Sequence, residues 1–196
     1  MYAPAQHDEV TGLVHYLDEQ LAAIRAAALG LTEEQARETP CRSALSVGGI
    51  IKHAAHGMRG ALQRLRGTVE QTIDEAAFAA FADSFAVRED ETVAGTIEEF
   101  DRLRTELLAT VAATDPAGDA TAPPAPWHGI LDARPIRTRH HLVHLLEEWA
   151  RHAGHADIIR EQIDGVAVPA LVMTLAGASA NDFFAPYRPA PGTLLA

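Results

Sequence analysis

The segment His140–Gly165, HHLVHLLEEWARHAGHADIIREQIDG, constrains the fold of this chain more than any other stretch. Leu142, Leu145, Leu146, Trp149, Ala153 and Ala156 return with a period near 3.6 residues, the mark of a long helix with one buried face rather than of a strand. A polar row runs along the same helix: His144, Glu148, His152 and His155, at spacings of four, four and three, share one side of it. The rows meet at Leu145, Glu148, His152 and Ile159, and that edge is where a partly buried polar site can form. Two readings are open at this point. Histidine and glutamate opposite an apolar stripe are what the solvent face of any amphipathic helix carries. Equally, Glu148 and His152 offer a carboxylate oxygen and a neutral imidazole nitrogen, donors suited to zinc, nickel, iron or manganese. Two donors do not complete a centre, so a third has to come from another helix.

Three more segments repeat the helical period. Val10, Leu13, Leu17, Leu21 and Ile24 predict a helix over Asp8–Leu29, ended by Gly30. Ser46 is placed to cap a second, running to Arg66, with Ile50, Ile51, Ala54, Met58 and Leu62 on its buried side. Val93, Ile97, Phe100, Leu103, Leu107 and Val111 mark a third over Glu89–Ala113, which the acidic run Glu89–Glu91 is expected to open. The fourth is Thr138–Asp164, closed by Gly165. Four apolar stripes of similar length predict an all-α four-helix bundle in a single domain, 1–196, with its core in 8–165 and a C-terminal segment, 166–196, packing on it.

Short accessory helices fill the connections. Thr32 and Gln35 form a capping-box pattern over Glu33–Arg37, Asp74–Phe81 reads as another short helix, and Pro169 begins a third. Phe78, Phe81 and Phe85 are expected to cover one end of the core. The connection Asp115–Arg137 holds five prolines, with Trp127, His128 and Ile130 expected over a cleft. Beyond the fourth helix, Leu171–Leu175, Phe183, Phe184 and Tyr187 should cover the bundle or a partner subunit.

The chain has sixteen basic against twenty-seven acidic residues, a formal charge of -11, with very little lysine. Such a surface repels a phosphate backbone, which argues against nucleic-acid binding. The single cysteine, Cys41, excludes an intramolecular disulfide and fits a reducing cytoplasm; it reads as ordinary packing. No stretch has the length and apolarity of a membrane span or a secretory leader, so a cytoplasmic location is expected. No phosphate-cradling glycine motif occurs.

A third donor is available on the second helix. His53 lies beside Ile50 and Gly57 at the edge of the apolar stripe, facing another helix, whereas His56 is turned toward solvent or an outer position around the site. Gly48, Gly49, Gly57 and Gly60 lower helix propensity, so a close contact or a cleft beside them would account for their presence.

With His53, Glu148 and His152 in view, the chain resembles the DinB superfamily, most closely its DUF664 branch, through LSVGGIIKHAAH and LVHLLEEWARHAGHADIIREQIDG. The resemblance implies an up-down-down-up bundle with a long crossover between the second and third helices, for which the irregular Thr68–Val87 is suited. It also implies a divalent metal, zinc or nickel, held by one histidine of the second helix and two residues four apart on the fourth, here His53, Glu148 and His152. Glutamate at the first of that pair is similar to the thiol-dependent maleylpyruvate isomerase group, and its charge moderates the Lewis acidity of a bound ion. Three protein ligands with positions left open are the catalytic pattern. Relatives use mycothiol or bacillithiol. The resemblance therefore implies a low-molecular-weight-thiol-dependent S-transferase or isomerase acting on an electrophilic substrate, and a homodimer. The alternative is a non-catalytic metal-binding or stress-related bundle. Arg151, Arg160 and His128 are candidates to contact an acidic substrate or the thiol, against roles as surface or packing groups.

Overall fold

The computed structural model describes residues 5–67 and 74–196. Its long helices are α1 (Glu9–Ala26), α2 (Val47–Arg66), α4 (Val93–Ala112) and α5 (Thr138–Asp164), with the shorter α3 (Glu75–Asp83) and α6 (Val168–Leu175) between and after them. Asp8, Ser46, Asp74 and Thr92 each stand in extended backbone ahead of a helix and accept the N–H three residues on, at 2.9, 3.0, 2.8 and 3.0 Å. Each cap satisfies a donor that the first helical turn leaves over. Thr92, not the acidic run Glu89–Glu91, starts α4; Glu91 instead accepts from Lys52 and from the Arg88 backbone. The capping box at Thr32 and Gln35 forms in both directions, at 3.0 and 3.1 Å.

Side-chain pairs give the helix directions. Arg59 meets Glu99 and Arg66 meets Glu106, both at 2.7 Å, so α2 and α4 run parallel. Glu9 meets Arg139 at 2.8 Å near the start of both helices, and Arg160 reaches the carbonyls of Ala27 and Leu29 near their ends, so α1 and α5 also run parallel. Asp18 with Arg104 and Arg25 with Asp101 set α1 antiparallel to α4. Arg64 with His141 and His53 against His152 do the same for α2 and α5. The order is up-down-down-up. The buried core draws on every long helix, through Leu17, Leu21 and Ile24, Ile50, Ile51 and Met58, Phe100, Leu103 and Leu107, and Leu142, Trp149 and Ala156.

The connecting and terminal segments add three details to the bundle, one of them a correction. The connection before α5 is partly ordered as strands: β1 (Asp119–Ala122) and β2 (Arg134–Arg137) pair antiparallel, with Asp119 opposite Arg137 and Ala122 opposite Arg134. Arg137 also bonds the Asp119 carboxylate across this ribbon. Secondly, Phe78 and Phe81 do not close the core. They are 54% and 50% exposed, and α3 has no buried residue, because it lies on the outside of the bundle. Thirdly, the C-terminal segment covers the bundle only in part: Leu171 and Phe184 are buried, while Phe183 is fully exposed. Part of the Thr68–Val87 crossover, 68–73, lies outside the described residues.

Arg160 is the largest side chain that is completely buried. Its Nη1 donates to the carbonyls of Ala27 and Leu29 at 2.8 and 2.7 Å, and Nε and Nη2 clasp both oxygens of Asp164 at 2.9 and 2.7 Å. The carbonyls lie in the turn that follows α1, where backbone oxygens no longer have intrahelical donors. Arg160 is thus a packing group and not a ligand contact. Arg160→Ala should reduce stability by about 3–5 kcal/mol, since buried acceptors and a carboxylate lose their donors together. Urea unfolding measures this, and a loss below about 1 kcal/mol would mean that water replaces the guanidinium.

Candidate metal centre

His53 is held on two sides. Its ring stacks on Phe85 with centroids 3.9 Å apart and planes within 15°, and its Nδ1 lies 2.8 Å from the Ser84 hydroxyl. Both partners come from the end of α3 and the segment after it. That segment approaches α2 closely because Gly49 has no side chain: a Cβ there would sit 2.1 Å from the Phe85 carbonyl oxygen. Gly48 is similarly confined by Val93, Val87 and the Ala36 carbonyl. The glycine pair therefore marks a close approach of backbone to helix, as expected, though of a connection and not of another long helix. Lys52, the only lysine in the chain, ties the same segment down by donating to Asp83, Ala86 and Glu91 at 3.1, 2.9 and 2.8 Å. Arg37 adds bonds to the carbonyls of Val87, Arg88 and Glu91.

His152 comes from α5 to meet this assembly. It is buried, and its ring stands edge-on to His53 with centroids 4.7 Å apart. One turn earlier, Glu148 places Oε2 3.9 Å from His152 Nε2. The structure thus brings the expected residues together in series, His53 against His152 and His152 against Glu148. Among the described residues, the set whose donor atoms all fall within 4.8 Å of one another is a different one, His144, Glu147 and Glu148. Glu148 belongs to both groupings. His144 and Glu147 face solvent, and Arg151 bonds Glu147 at 2.8 Å.

Burial keeps the imidazoles neutral. Desolvation, helped by the neighbouring His152 and His56, lowers His53 to about 4. His152 is lowered by burial and by His155, against an opposing pull from Glu148. Neutral imidazole is the form that ligates a metal. His152 Nδ1 is buried with no hydrogen-bond partner among the described residues, and the same holds for His155 Nδ1 one turn on. A neutral His152 ring beside a second imidazole, with Glu148 nearest its Nε2, has the donor chemistry that suits a divalent ion.

Aromatic side chains form the surroundings. Phe81 is edge-on to His53 at 5.4 Å, and Phe78, one turn earlier on α3, meets Trp127 at 6.5 Å. Trp127 and His128 form the tip of the β1–β2 connection, and both are exposed. His56 is partly buried, with its pKa lowered by desolvation and by Arg59 and Arg64. Sequence reasoning missed Ser84, Phe85 and Lys52 as supports of His53. Ser84 lies 31 residues from His53, so no local spacing reports the contact; the glycine pair was the one signal that something approaches there.

The fold and this seam define a helical bundle of DinB-like type with a His/Glu site between α2 and α5. Residues 12–165 match the family model described as Mycothiol-S-transferase, and the chain belongs to that DinB-like family. No curated protein and no solved structure matches it.

A further, half-buried histidine gives the seam a pH dependence. His141 accepts from Arg64 Nε at 3.0 Å, and burial, then the Arg64 charge, lowers its pKa from 6.5 to about 3. Above pH 6.5 it is neutral in both folded and unfolded chains. Between 6.5 and about 3 the unfolded chain takes up a proton that the folded one refuses, so stability should fall as pH drops through that window. His141→Gln, which cannot protonate, should flatten the fall in urea-unfolding free energies measured across it. An unchanged slope would remove His141 as a source.

Proposed function

We propose that this chain is a metal-dependent S-transferase in which His53, Glu148 and His152 hold a divalent ion, zinc or nickel, and a low-molecular-weight thiol such as mycothiol is joined to an electrophile. The observation that carries the reading is the meeting of a half-buried and a buried imidazole, from α2 and α5, in a chain of the Mycothiol-S-transferase family. A divalent ion held there would lower the pKa of a thiol. The chain's own residues do the rest. His53 and His152 enter as uncharged donors, so Glu148 supplies the ligand set's one negative charge. Phe81 and Phe85 cover His53 and exclude water from its faces, which strengthens electrostatic effects at the site. The transfer itself is a substitution: sulfur forms a bond to an electrophilic carbon, the leaving group departs with the bonding pair, and the thiol proton passes to water. The half-exposed Phe78 and Phe81 offer an apolar surface to such an electrophile.

A second reading has its own observation. The exposed His144 and Glu147, with half-buried Glu148, would make a non-catalytic site on one helix. Zinc titration calorimetry on the wild type and on His53→Ala, His152→Ala and His144→Ala separates the two. Loss of affinity of about 10-fold or more in the first two, with His144→Ala near wild type, is expected. Chelation should also lower the melting temperature, since an ion bound only by the folded bundle stabilises it. Equal affinity in all proteins would remove the triad, and with it the transferase mechanism. The homodimer belongs to the same proposal, because fully exposed Phe183 and half-exposed Leu175 are surface a second copy would cover. Light scattering that returns a monomer mass at micromolar concentration would end that part.

A further inference from the structure

We infer that Ser84 is a positioning residue that fixes His53 in the tautomer with its proton on Nδ1, leaving Nε2 with the lone pair. The warrant is proton counting. The Ser84 Oγ lies 2.6 Å from the carbonyl oxygen of Phe81 and 2.8 Å from His53 Nδ1. A carbonyl can only accept and a serine hydroxyl has one proton, so that proton goes to Phe81. Toward His53, Oγ is then an acceptor, and the hydrogen in that contact must be on Nδ1. A neutral imidazole in water holds its proton preferentially on Nε2, so the protein reverses the ring's own preference.

Nothing nearby lets Ser84 do otherwise. It is 2% exposed, so water does not compete for its hydroxyl. Its own N–H is committed to Ala80 and Phe81 at the end of α3. The residues on either side are anchored, Asp83 and Ala86 by Lys52, and Phe85 by its stack on the ring that Ser84 orients. Phe85 restrains the tilt of the imidazole and Ser84 its rotation and proton, so the two consecutive residues leave His53 Nε2 as the one ring nitrogen open to a ligand. The hydroxyl does for His53 what a second acceptor commonly does for a metal-binding histidine. His152 has no counterpart: its Nδ1 has no such acceptor among the described residues.

The use of Nε2 rests on the metal reading above, whereas the tautomer stands without it. Long-range proton–nitrogen NMR on isotopically labelled, metal-free protein near neutral pH reads the two ring nitrogens of His53 directly. In the wild type, Nδ1 should resonate as protonated and Nε2 as unprotonated. Ser84→Ala should shift His53 toward the Nε2-protonated form and weaken zinc binding about 10- to 100-fold. Ser84→Thr, which retains the hydroxyl, should keep the wild-type tautomer. A wild-type His53 protonated on Nε2 overturns the inference outright, even if the triad binds zinc. An unchanged tautomer in a folded Ser84→Ala protein overturns it too. If Ser84→Ala does not fold, the wild-type spectrum decides alone. The expected tautomer combined with no zinc binding would sink the metal centre and leave the Ser84 assignment standing.

Discussion

Parallel pairing of α2 with α4 is the constraint from which most of this molecule follows. A helix of 20 residues is about 30 Å long. Two such helices that run parallel and follow each other in sequence require the chain to travel back along the bundle before the second can begin. The described part of that connection, 74–92, passes the N-terminal half of α2, where His53 sits. The connection therefore supplies the ring that stacks on His53, the hydroxyl that meets its Nδ1 and the phenylalanines around it. An antiparallel pair joined by a tight turn would have left His53 bare on that side. Gly49 admits the returning backbone, and Lys52, the residue before His53, holds it in place.

The seam between α2 and α5 is maintained under opposite demands. The imidazoles of half-buried His53 and His141 and of buried His152 resist protonation, so the bundle keeps these polar groups in the seam uncharged. Arg64, bonded to His141, brings one formal charge to this seam, and other cross-helix charges lie elsewhere. Arg25 with Asp101 and Arg104 with Asp18 join α1 to α4 at partly exposed positions, where each pair contributes about 1 kcal/mol or less and chiefly selects one alignment of the helices. Arg160 is the exception. It is a buried charge with each of its three nitrogens donating to an acceptor, and it fixes the end of α1 against α5 on the far side of the site from Arg64 and His141.

Most of the bundle was legible in the sequence because helix period, caps and breakers are local. Ser46, Gly67 and Gly165 each sit where their chemistry says a helix starts or stops, and Thr32 with Gln35 makes the box that its spacing promised. The histidine and glutamate spacing on α5 likewise brought His152 to the border of the buried stripe. What failed was whatever depends on partners far along the chain. Phe78 and Phe81 read as core because they are apolar, yet apolarity does not say whether a short helix lies inside a bundle or across its surface. The β1–β2 ribbon was hidden by its prolines, which suit an isolated pair of strands with open edges. Ser84 had no motif at all, since one serine beside an aromatic-rich turn is indistinguishable from any other until the fold brings it to His53.

Glu148 occupies the point at which two chemical outcomes diverge. Its carboxylate is 35% exposed, lies 3.9 Å from His152 on the buried side, and is equally distant from the Arg151 guanidinium on the outer side. With His144 and Glu147 it would form a solvated cluster carrying two negative charges, attractive to many cations and selective for none. In the proposed centre, turned toward His152 and His53, it would complete a set with two nitrogens and one oxygen, partly shielded from water, which would suit first-row metals that favour imidazole over magnesium or calcium. Desolvation favours the second arrangement only when a cation is present to compensate the carboxylate; without one, the outer position beside Arg151 is the less costly place for a negative charge. The donors of His53, His152 and Glu148 are spread along the seam, so in the proposed centre Glu148 is the residue that would have to turn inward.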